Sequence, residues 1–405
     1  RAWRSAVGRC PLDLEVHGLK RISHRGTLVL LILVMAVLAT GCMPRGGVAN
    51  AGWTVVTATD EAVYSVLASG TVVAVNAANG QELWRYPITV ERPGGIGAIF
   101  SRPDPNTPQP LQASYGEPVV TGDLLLATSL DGGVHALDLA TGAHEWEFRV
   151  EGGIVGGLTV RDGIAYFGTN ENTVYALDLA SQTLVWPRAF LAEGWVWSKP
   201  AVDDERVYLG SMGQRVYALD RETGEQVWEF QTTGAVPGSP ALSNGLVLVG
   251  SVDENVYALD AATGDLRWAT PVGHWVMGTP LVLDDYAYVA SLDGNVHALS
   301  LADGTPRWEA VSVERTVRAG PESLDGAVVV ANQAGELWRV DAETGQRVRL
   351  YPDVGEPGTD SGIGAVLSSP DVQDGLTVVG TATGYILALD TGAGPAVERW
   401  VYTAN

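Results

Sequence analysis

Few side chains of this sequence have the type and spacing that catalysis or metal binding needs. The two cysteines, Cys10 and Cys42, both precede the repeated part of the chain, so they predict neither a disulfide framework nor a cysteine-based metal site in the folded body. His274 has no Cys or second His close by, and such a lone His is more often a polar surface residue than a ligand. We therefore expect no metal site. The aspartates that can be placed, such as Asp260, belong to turns, and we assign no catalytic residue.

Cys42 has a different chemistry, because it closes a segment typical of a secretory signal. A basic stretch at 20–25 precedes an apolar run of 14 residues at 27–40. This run is shorter than the about 20 residues that span a bilayer, and it has the proportions of a signal peptide's apolar core. The ending Leu38-Ala39-Thr40-Gly41-Cys42 resembles a bacterial lipobox, although Ala39 replaces the usual aliphatic residue. We expect Cys42 to be lipidated; the alternative is a chance Cys after an ordinary signal.

These features divide the chain into a signal region at 1–41, a lipidated Cys with a linker at 42–52, and a folded body at 53–405. Val16 or Leu19 would serve as a bacterial alternative start and give a signal of normal length, so residues 1–15 are expected to be upstream translation or a fragment end. The expected location is the cell envelope, anchored through Cys42: the outer membrane if the organism has one, and otherwise the outer face of the plasma membrane.

The charge of the chain excludes one large class of partner. Its formal net charge is −22, although the signal region is itself basic, and Lys20 and Lys199 are the only lysines. Binding to phosphate backbones requires clustered Lys and Arg, and an acidic surface repels both nucleic acid and anionic headgroups. We therefore expect no nucleic-acid partner.

The body consists of eight repeats, each ending on a pattern close to Ala-Leu-Asp-x-x-Thr-Gly-x-x-x-Trp. The pattern is complete in the second, fourth and fifth repeats, for example from Ala258 through Asp260 and Gly264 to Trp268, and its period is 40 to 42 residues from Trp146 to Arg349. Repeats of this length indicate a ring of small units.

Each period is interpreted as four strands. In the fifth repeat these are Ser239–Leu242, Leu246–Gly250, Val256–Leu259 and a strand beginning at Leu266, with a hairpin turn at Asp253–Asn255. The aspartate of the motif can accept hydrogen bonds from backbone amides two or three residues on, and its glycine can adopt a positive φ. Four-stranded units at this spacing predict an all-β fold, an eight-bladed β-propeller of four-stranded antiparallel blades, which we expect to be a monomeric ring.

The tryptophan that ends each repeat is expected to pack between neighbouring blades and act as a structural clamp. In the seventh repeat Arg349 occupies this position. The predicted clamps are Trp84, Trp146, Trp186, Trp228, Trp268, Trp308 and Trp400.

The motif resembles the pyrroloquinoline quinone (PQQ) repeat family over essentially all of residues 53–405. The resemblance implies either a large quinoprotein dehydrogenase or a smaller non-catalytic propeller. The dehydrogenases bind the quinone in the central channel with a calcium or lanthanide ion, a catalytic Asp and usually a vicinal disulfide. This chain has no adjacent Cys pair and is shorter. We therefore expect no enzymatic activity and no PQQ or calcium.

The smaller branch includes the lipoprotein of the outer-membrane β-barrel assembly machine, which this sequence resembles in size, signal type and blade count. That resemblance implies a lipid-anchored scaffold whose partners are envelope or membrane proteins, such as nascent outer-membrane proteins. Met43 follows the lipidated Cys where an Asp would signal inner-membrane retention, so sorting to an outer membrane is allowed. The alternative function is a quinone- or small-ligand-binding propeller, as a sensor or an oxidoreductase.

A partner is expected on the face crossed by the connections between blades. Two connections are enlarged, Val90 to Leu111 and Pro352 to Gly364, and they lead into blades 2 and 8. Aromatic and cationic side chains on one face of an acidic ring form a reasonable recognition patch. Two plainer alternatives are that alternate members of Trp195-Val196-Trp197 pack between blades, and that the long connections are disordered. The candidate partner-binding residues are Trp195, Trp197, Lys199, His274, Trp275 and Arg318.

Overall fold

The eight repeats fold into eight antiparallel sheets that form the blades of a propeller. The structure is a computed structural model, and it describes residues 53–87, 109–352, 364–392 and 396–403. Contacts between the first strands of neighbouring blades place these inner strands around the central axis. The fold expected from the sequence is confirmed.

Blade 1 comprises β1 (Val55–Ala58), β2 (Ala62–Val66), β3 (Val72–Asn76) and β4 (Glu82–Tyr86), and blade 2 comprises β5 (Val119–Thr121), β6 (Leu124–Thr128), β7 (Gly133–Asp138) and β8 (His144–Arg149). Blade 3 comprises β9 (Leu158–Arg161), β10 (Ile164–Gly168), β11 (Thr173–Asp178), β12 (Thr183–Leu184) and β13 (Phe190–Leu191), and blade 4 comprises β14 (Ala201–Val202), β15 (Arg206–Ser211), β16 (Arg215–Asp220) and β17 (Gln226–Gln231). Blade 5 comprises β18 (Ala241–Ser243), β19 (Leu246–Gly250), β20 (Asn255–Asp260) and β21 (Leu266–Pro271), and blade 6 comprises β22 (Leu281–Leu283), β23 (Tyr286–Ala290), β24 (Asn295–Ser300) and β25 (Val311–Ser312). Blade 7 comprises β26 (Glu322–Leu324), β27 (Ala327–Ala331), β28 (Leu337–Asp341) and β29 (Arg347–Tyr351), and blade 8 comprises β30 (Asp371–Gln373), β31 (Leu376–Gly380), β32 (Tyr385–Asp390) and β33 (Val397–Thr403).

The second and third strands of each blade form the core, because both of their faces are covered by neighbouring blades. Their short, nearly continuous runs of Val, Leu, Ala and Tyr are typical of strands buried on both sides. The turn chemistry expected at Asp260 is confirmed. Its Oδ1 accepts the amides of Ala262 and Thr263 at 3.0 and 2.9 Å, and Gly264 has a φ of +77°.

The fourth strand departs from the expected pattern in two blades. In blade 3 it is split into β12 and β13, and in blade 6 it is reduced to the short β25. Pro187 and Pro306 lie where these strands are interrupted. Proline has no backbone N–H, so it cannot donate to the ladder and is confined to edges and irregularities of a sheet.

The motif tryptophans lie at the blade interfaces. The indole N–H of six of them donates to a backbone carbonyl of the next blade, and Trp146 is half-buried in a cluster shared by blades 2 and 3. The six pairs are Trp84 with Leu139, Trp186 with Arg221, Trp228 with Ala261, Trp268 with Leu301, Trp308 with Ala342, and Trp400 with Ala77.

Arg349, which occupies the clamp position of blade 7, interacts within its own blade. Its guanidinium lies 3.0 Å from Glu336 of its own blade.

The ring closes by packing between blades 8 and 1. One core cluster joins Leu376, Ile386 and Trp400 to Val56 and Val63. Each described sheet uses consecutive strands of the chain, so closure in this part of the molecule involves no exchanged strand. No helix in the described segments has the length and apolar content needed to cross a membrane.

Candidate partner-binding face and channel mouth

A buried valine fixes the orientation of the segment that leads into each of blades 4, 5 and 6. Val196 is fully buried, and its side chain lies over Gly168 of the preceding blade, where a Cβ would come within 2.1 Å of Val196 Cγ1. Val236 over Gly210 and Val276 over Gly250 repeat this contact. Because side chains alternate along an extended segment, the residues on either side of each valine are turned away from the blade interior.

Trp195 and Trp197 are such neighbours, and their rings stack on each other. The ring centroids are 5.9 Å apart at an interplanar angle of 21°. Trp195 is 45% exposed, whereas Trp197 is half-buried and its indole N–H has no hydrogen-bond partner in the described part of the chain. The member of the triplet that packs between blades is therefore Val196, and the two tryptophans form a stacked pair on the face.

His274 and Trp275 occupy the matching segment that leads into blade 6. The carbonyl of Trp275 accepts the amide of Leu292 at 2.9 Å, just as that of Trp195 accepts the amide of Met212 at 2.8 Å, so the two tryptophans are equivalent. His274 Nδ1 accepts the amide of Trp275 at 2.8 Å, and this ring nitrogen is thus engaged locally.

Lys199 points towards the axis and not outward. Its Nζ lies 3.6 Å from Oε2 of Glu117. Lys199 belongs to blade 4 and Glu117 to blade 2, and side chains of non-adjacent blades meet only where the inner strands converge. This cation therefore belongs to the channel, where it lies within ion-pair distance of a carboxylate.

Arg318 differs from the exposed cation that we expected. Its guanidinium carbon lies 4.5 Å from the ring centroid of Trp53, and Trp53 packs edge-on against Tyr115 at 5.1 Å. These residues come from the segments entering blades 7, 1 and 2, so they meet at the channel mouth. Burial lowers the pKa of the Arg318 guanidinium from its usual range, with Tyr115 acting in the opposite direction. The stacking on Trp53 is a cation–π contact.

Two carboxylic acids of the inner strands were missed by the sequence analysis. Burial, followed by the charges of Glu117 and Asp371, raises the pKa of Glu322 to about 8, while Lys199 acts in the opposite direction. Burial also raises the pKa of Asp371, whose Oδ2 accepts the amide of Ala58 in blade 1 at 2.9 Å. Each of these acids follows a proline, at the position that Ala241 occupies in the fifth repeat. An acidic residue at this position of the first strand was the sequence signal that could have identified them.

The calcium that the family resemblance implies beside the quinone does not fit these residues. Calcium binds through about 6–8 oxygens that include ionised carboxylates. In the described channel Glu117 is paired with Lys199, Asp371 is bound to a backbone amide, and burial raises the pKa of Glu322 to about 8, which disfavours its ionised form. These acids therefore do not offer the charge that the ion requires.

The structure does not describe most of the two enlarged connections or the expected lipidation site. The connections expected at Val90 to Leu111 and Pro352 to Gly364 lie mostly outside the described residues, as does Cys42. The structure stacks Trp195 on Trp197, and it places Lys199 beside Glu117 and Arg318 against Trp53 at the channel.

A family model described as outer membrane protein assembly factor BamB matches the chain at residues 68–193, 130–240, 170–274 and 214–400. Two curated proteins called outer membrane protein assembly factor BamB are similar in part. The protein of Kangiella koreensis is 27% identical over 179 residues, which are 44% of this chain and 42% of that protein. The protein of Xanthomonas campestris pv. campestris is 36% identical over 85 residues, 21% of this chain and 20% of that protein. The chain thus aligns with less than half the length of each.

Two solved structures share the fold. The computationally designed Ika8 protein superposes with a TM-score of 0.68 at 18% identity, covering 85% of this chain and 97% of that one. BamB from Moraxella catarrhalis gives a TM-score of 0.65 at 19% identity, covering 82% and 94%. At such identities the likeness concerns the fold.

Proposed function

The chain belongs to the family described as outer membrane protein assembly factor BamB, and from that membership we propose that it is a non-catalytic protein-binding scaffold of the cell envelope. In the finer form of the proposal, Cys42 is lipidated and anchors the ring to the outer membrane. The ring then holds outer-membrane proteins, or the proteins that assemble them, on the face that carries Trp195.

The stacked pair of Trp195 and Trp197 is the observation that carries the proposal. A tryptophan that remains 45% exposed leaves a large apolar area in water unless a partner covers it. Its backbone is fixed, because Val196 is buried next to it against Gly168. Rigid exposed aromatics are typical binding hot spots, since little conformational entropy is lost when they are covered.

The charge of the chain argues against a partner that presents anionic groups to this face. The chain carries a formal net charge of −22, and the two cations first assigned to the face lie in the channel, Lys199 beside Glu117 and Arg318 against Trp53. The partner is therefore proposed to present apolar or aromatic side chains to Trp195 and Trp275, as an extended segment of an unfolded β-barrel strand does.

The test is capture of an unfolded outer-membrane β-barrel protein by the purified ring. Trp195→Ala is expected to weaken capture by about tenfold or more, as loss of a hot-spot residue does, while the melting temperature stays close to that of the wild type. Val227→Ala is the matched control, because Val227 is 46% exposed on the outer strand of blade 4. Equal capture by all three proteins would refute the assignment of the face.

The alternative function is tested separately by adding pyrroloquinoline quinone and calcium to the wild-type protein. Absorbance and thermal stability are expected to stay unchanged. A saturable response would replace the scaffold proposal with a ligand-binding one.

A further inference from the structure

Blade 2 brings two histidines and a glutamate together on one face of its outer hairpin. His135 of β7 lies directly opposite Glu147 of β8. A β-bulge between Ala136 and Leu137 then pairs Leu137 with His144. Residues 144 and 147 would face opposite sides of a regular strand, and the bulge puts both side chains on the side of His135. One ligand atom from each of the three residues lies within 4.8 Å of the other two.

His135 is oriented by a hydrogen-bond chain. Its Nε2 lies 3.2 Å from Ser129 Oγ, and the closest acceptor for the Ser129 hydroxyl is Asp131. Since the single hydroxyl proton is donated to Asp131, Ser129 Oγ accepts the proton of Nε2. The lone pair of the imidazole is therefore on Nδ1.

That Nδ1 is the unusual atom of the site. His135 is only 6% exposed, and its Nδ1 is buried with no hydrogen-bond partner among the residues that the structure describes. Leaving a buried acceptor unpaired costs about 1–3 kcal/mol. A bound cation would satisfy it, and histidines that bind metals characteristically donate their other ring N–H to a second group, as His135 does to Ser129.

Gly133 provides the space for this arrangement. A Cβ at this position would lie 2.4 Å from His135 Nε2 and 2.9 Å from Ser129 Oγ. The equivalent positions of blades 5 and 6 hold Asn255 and Asn295, so glycine here is not required by the repeat.

The other two ligands are exposed and can adjust. His144 stacks on Tyr86 of blade 1, with ring centroids 5.6 Å apart at 22°. Glu147 forms an ion pair with Arg149, whose side chain is 54% exposed and also lies 2.7 Å from Asp131. Arg149 can stay with Asp131 when Glu147 turns to a metal ion.

The geometry points to a divalent transition-metal site, with Zn²⁺ as the ion that fits it best and His135, His144 and Glu147 as ligands. Two imidazoles and one carboxylate form a common three-residue zinc set that leaves a fourth position open. Ligand atoms about 2.0–2.1 Å from a tetrahedral zinc are separated by about 3.4 Å, so rotation of the two exposed side chains completes the site. The open position faces solvent and can take water or a partner's side chain.

The repeat pattern does not require His or Glu at these three positions. In blade 4 the register places Tyr217, Gln226 and Glu229 at the same positions, and in blade 8 it places Leu387, Glu398 and Val401 there. The bulge is shared by these blades, whereas the ligand set is a property of blade 2.

The test is a competition titration of the protein, purified without a histidine tag and freed of metal, with Zn²⁺ and a chromogenic zinc chelator. The wild type is expected to bind one Zn²⁺ per chain at this site. His144→Gln and Glu147→Gln are each expected to weaken binding by about tenfold or more, and both act on exposed side chains, so folding is preserved. His274→Gln is the control and should bind as the wild type does.

Absence of Zn²⁺ binding by the wild type would overturn the site, and so would equal binding by the wild type, His144→Gln and Glu147→Gln. Substitution with Co²⁺ gives an independent readout, because tetrahedral nitrogen and oxygen ligation produces visible absorption. That absorption should disappear in His144→Gln and remain in His274→Gln; the reverse pattern would also overturn the site.

Discussion

The indole N–H of Trp400, in the last blade, donates a 2.9 Å hydrogen bond to the carbonyl of Ala77 in the first. The same contact joins Trp268 to Leu301 within the ring, also at 2.9 Å. The junction between the two ends of the propeller is thus built like an internal blade interface. Closure rests on side-chain packing, on this indole hydrogen bond and on the bond from the amide of Ala58 to Asp371.

This equivalence predicts equal energetic costs at the two sites. Trp268→Ala and Trp400→Ala should each lower the free energy of unfolding by about 3–5 kcal/mol, because both indoles are 7% exposed and each leaves a cavity and an unpaired carbonyl. Urea unfolding followed by tryptophan fluorescence and circular dichroism measures this. Trp195→Ala, at an exposed indole, is the control. Near-neutral stability of Trp400→Ala alone would show that the ring closes by another contact.

The raised pKa of Glu322 predicts a pH-dependent stability. Between the ordinary carboxyl pKa of 4.5 and about 8, the folded chain holds a proton that the unfolded chain has released. Stability contributed by this group is therefore complete below the lower pKa and is lost as the pH rises through about 8. Glu322→Gln should remove this loss. The difference in free energy of unfolding between Glu322→Gln and the wild type should therefore shift in favour of the variant by on the order of 2–4 kcal/mol from pH 4 to pH 9.

Thermal melts of both proteins across that pH range provide the measurement. Glu225→Gln, which changes an exposed turn residue of blade 4, should show the pH dependence of the wild type. A wild-type profile that is parallel to that of Glu322→Gln would mean that Glu322 is ionised in the folded protein at neutral pH.

The sequence predicted features that depend on local chemistry. The turn at Asp260 and Gly264 and the bounds of β19 at Leu246–Gly250 follow from residues that are near neighbours along the chain. The pairing of Arg318 with Trp53 could not be predicted, because it joins the segments that enter the first and seventh blades, which are far apart along the chain.

The grouping of His135 with His144 and Glu147 was missed for a different reason. Strict alternation puts residues 144 and 147 on opposite faces of a strand, and one bulge reverses that assignment. His135 and His144 are also nine residues apart, so their spacing along the chain gives no indication of the cluster.

The hydrogen-bond chain behind His135 leads to a prediction about positioning. Ser129→Ala keeps all three proposed ligands but leaves Nε2 without its acceptor, so Zn²⁺ affinity should fall by about tenfold or more. The matched control is Ser291→Ala, because Ser291 lies 3.4 Å from His297 Nε2 at the equivalent position of blade 6. The same competition titration measures both. Equal Zn²⁺ affinity of Ser129→Ala and the wild type would show that Ser129 does not orient the imidazole.

The central claim, that the Trp195 face receives outer-membrane proteins, is tested most directly by photo-cross-linking in cells. A photoreactive amino acid is placed at position 195 and, as a control, at position 227 on the outer strand of blade 4. Cross-links are expected from position 195 to outer-membrane β-barrel proteins or to the proteins that assemble them, and none from position 227. Cross-links to these proteins from position 227 alone, or from neither position, would contradict the claim.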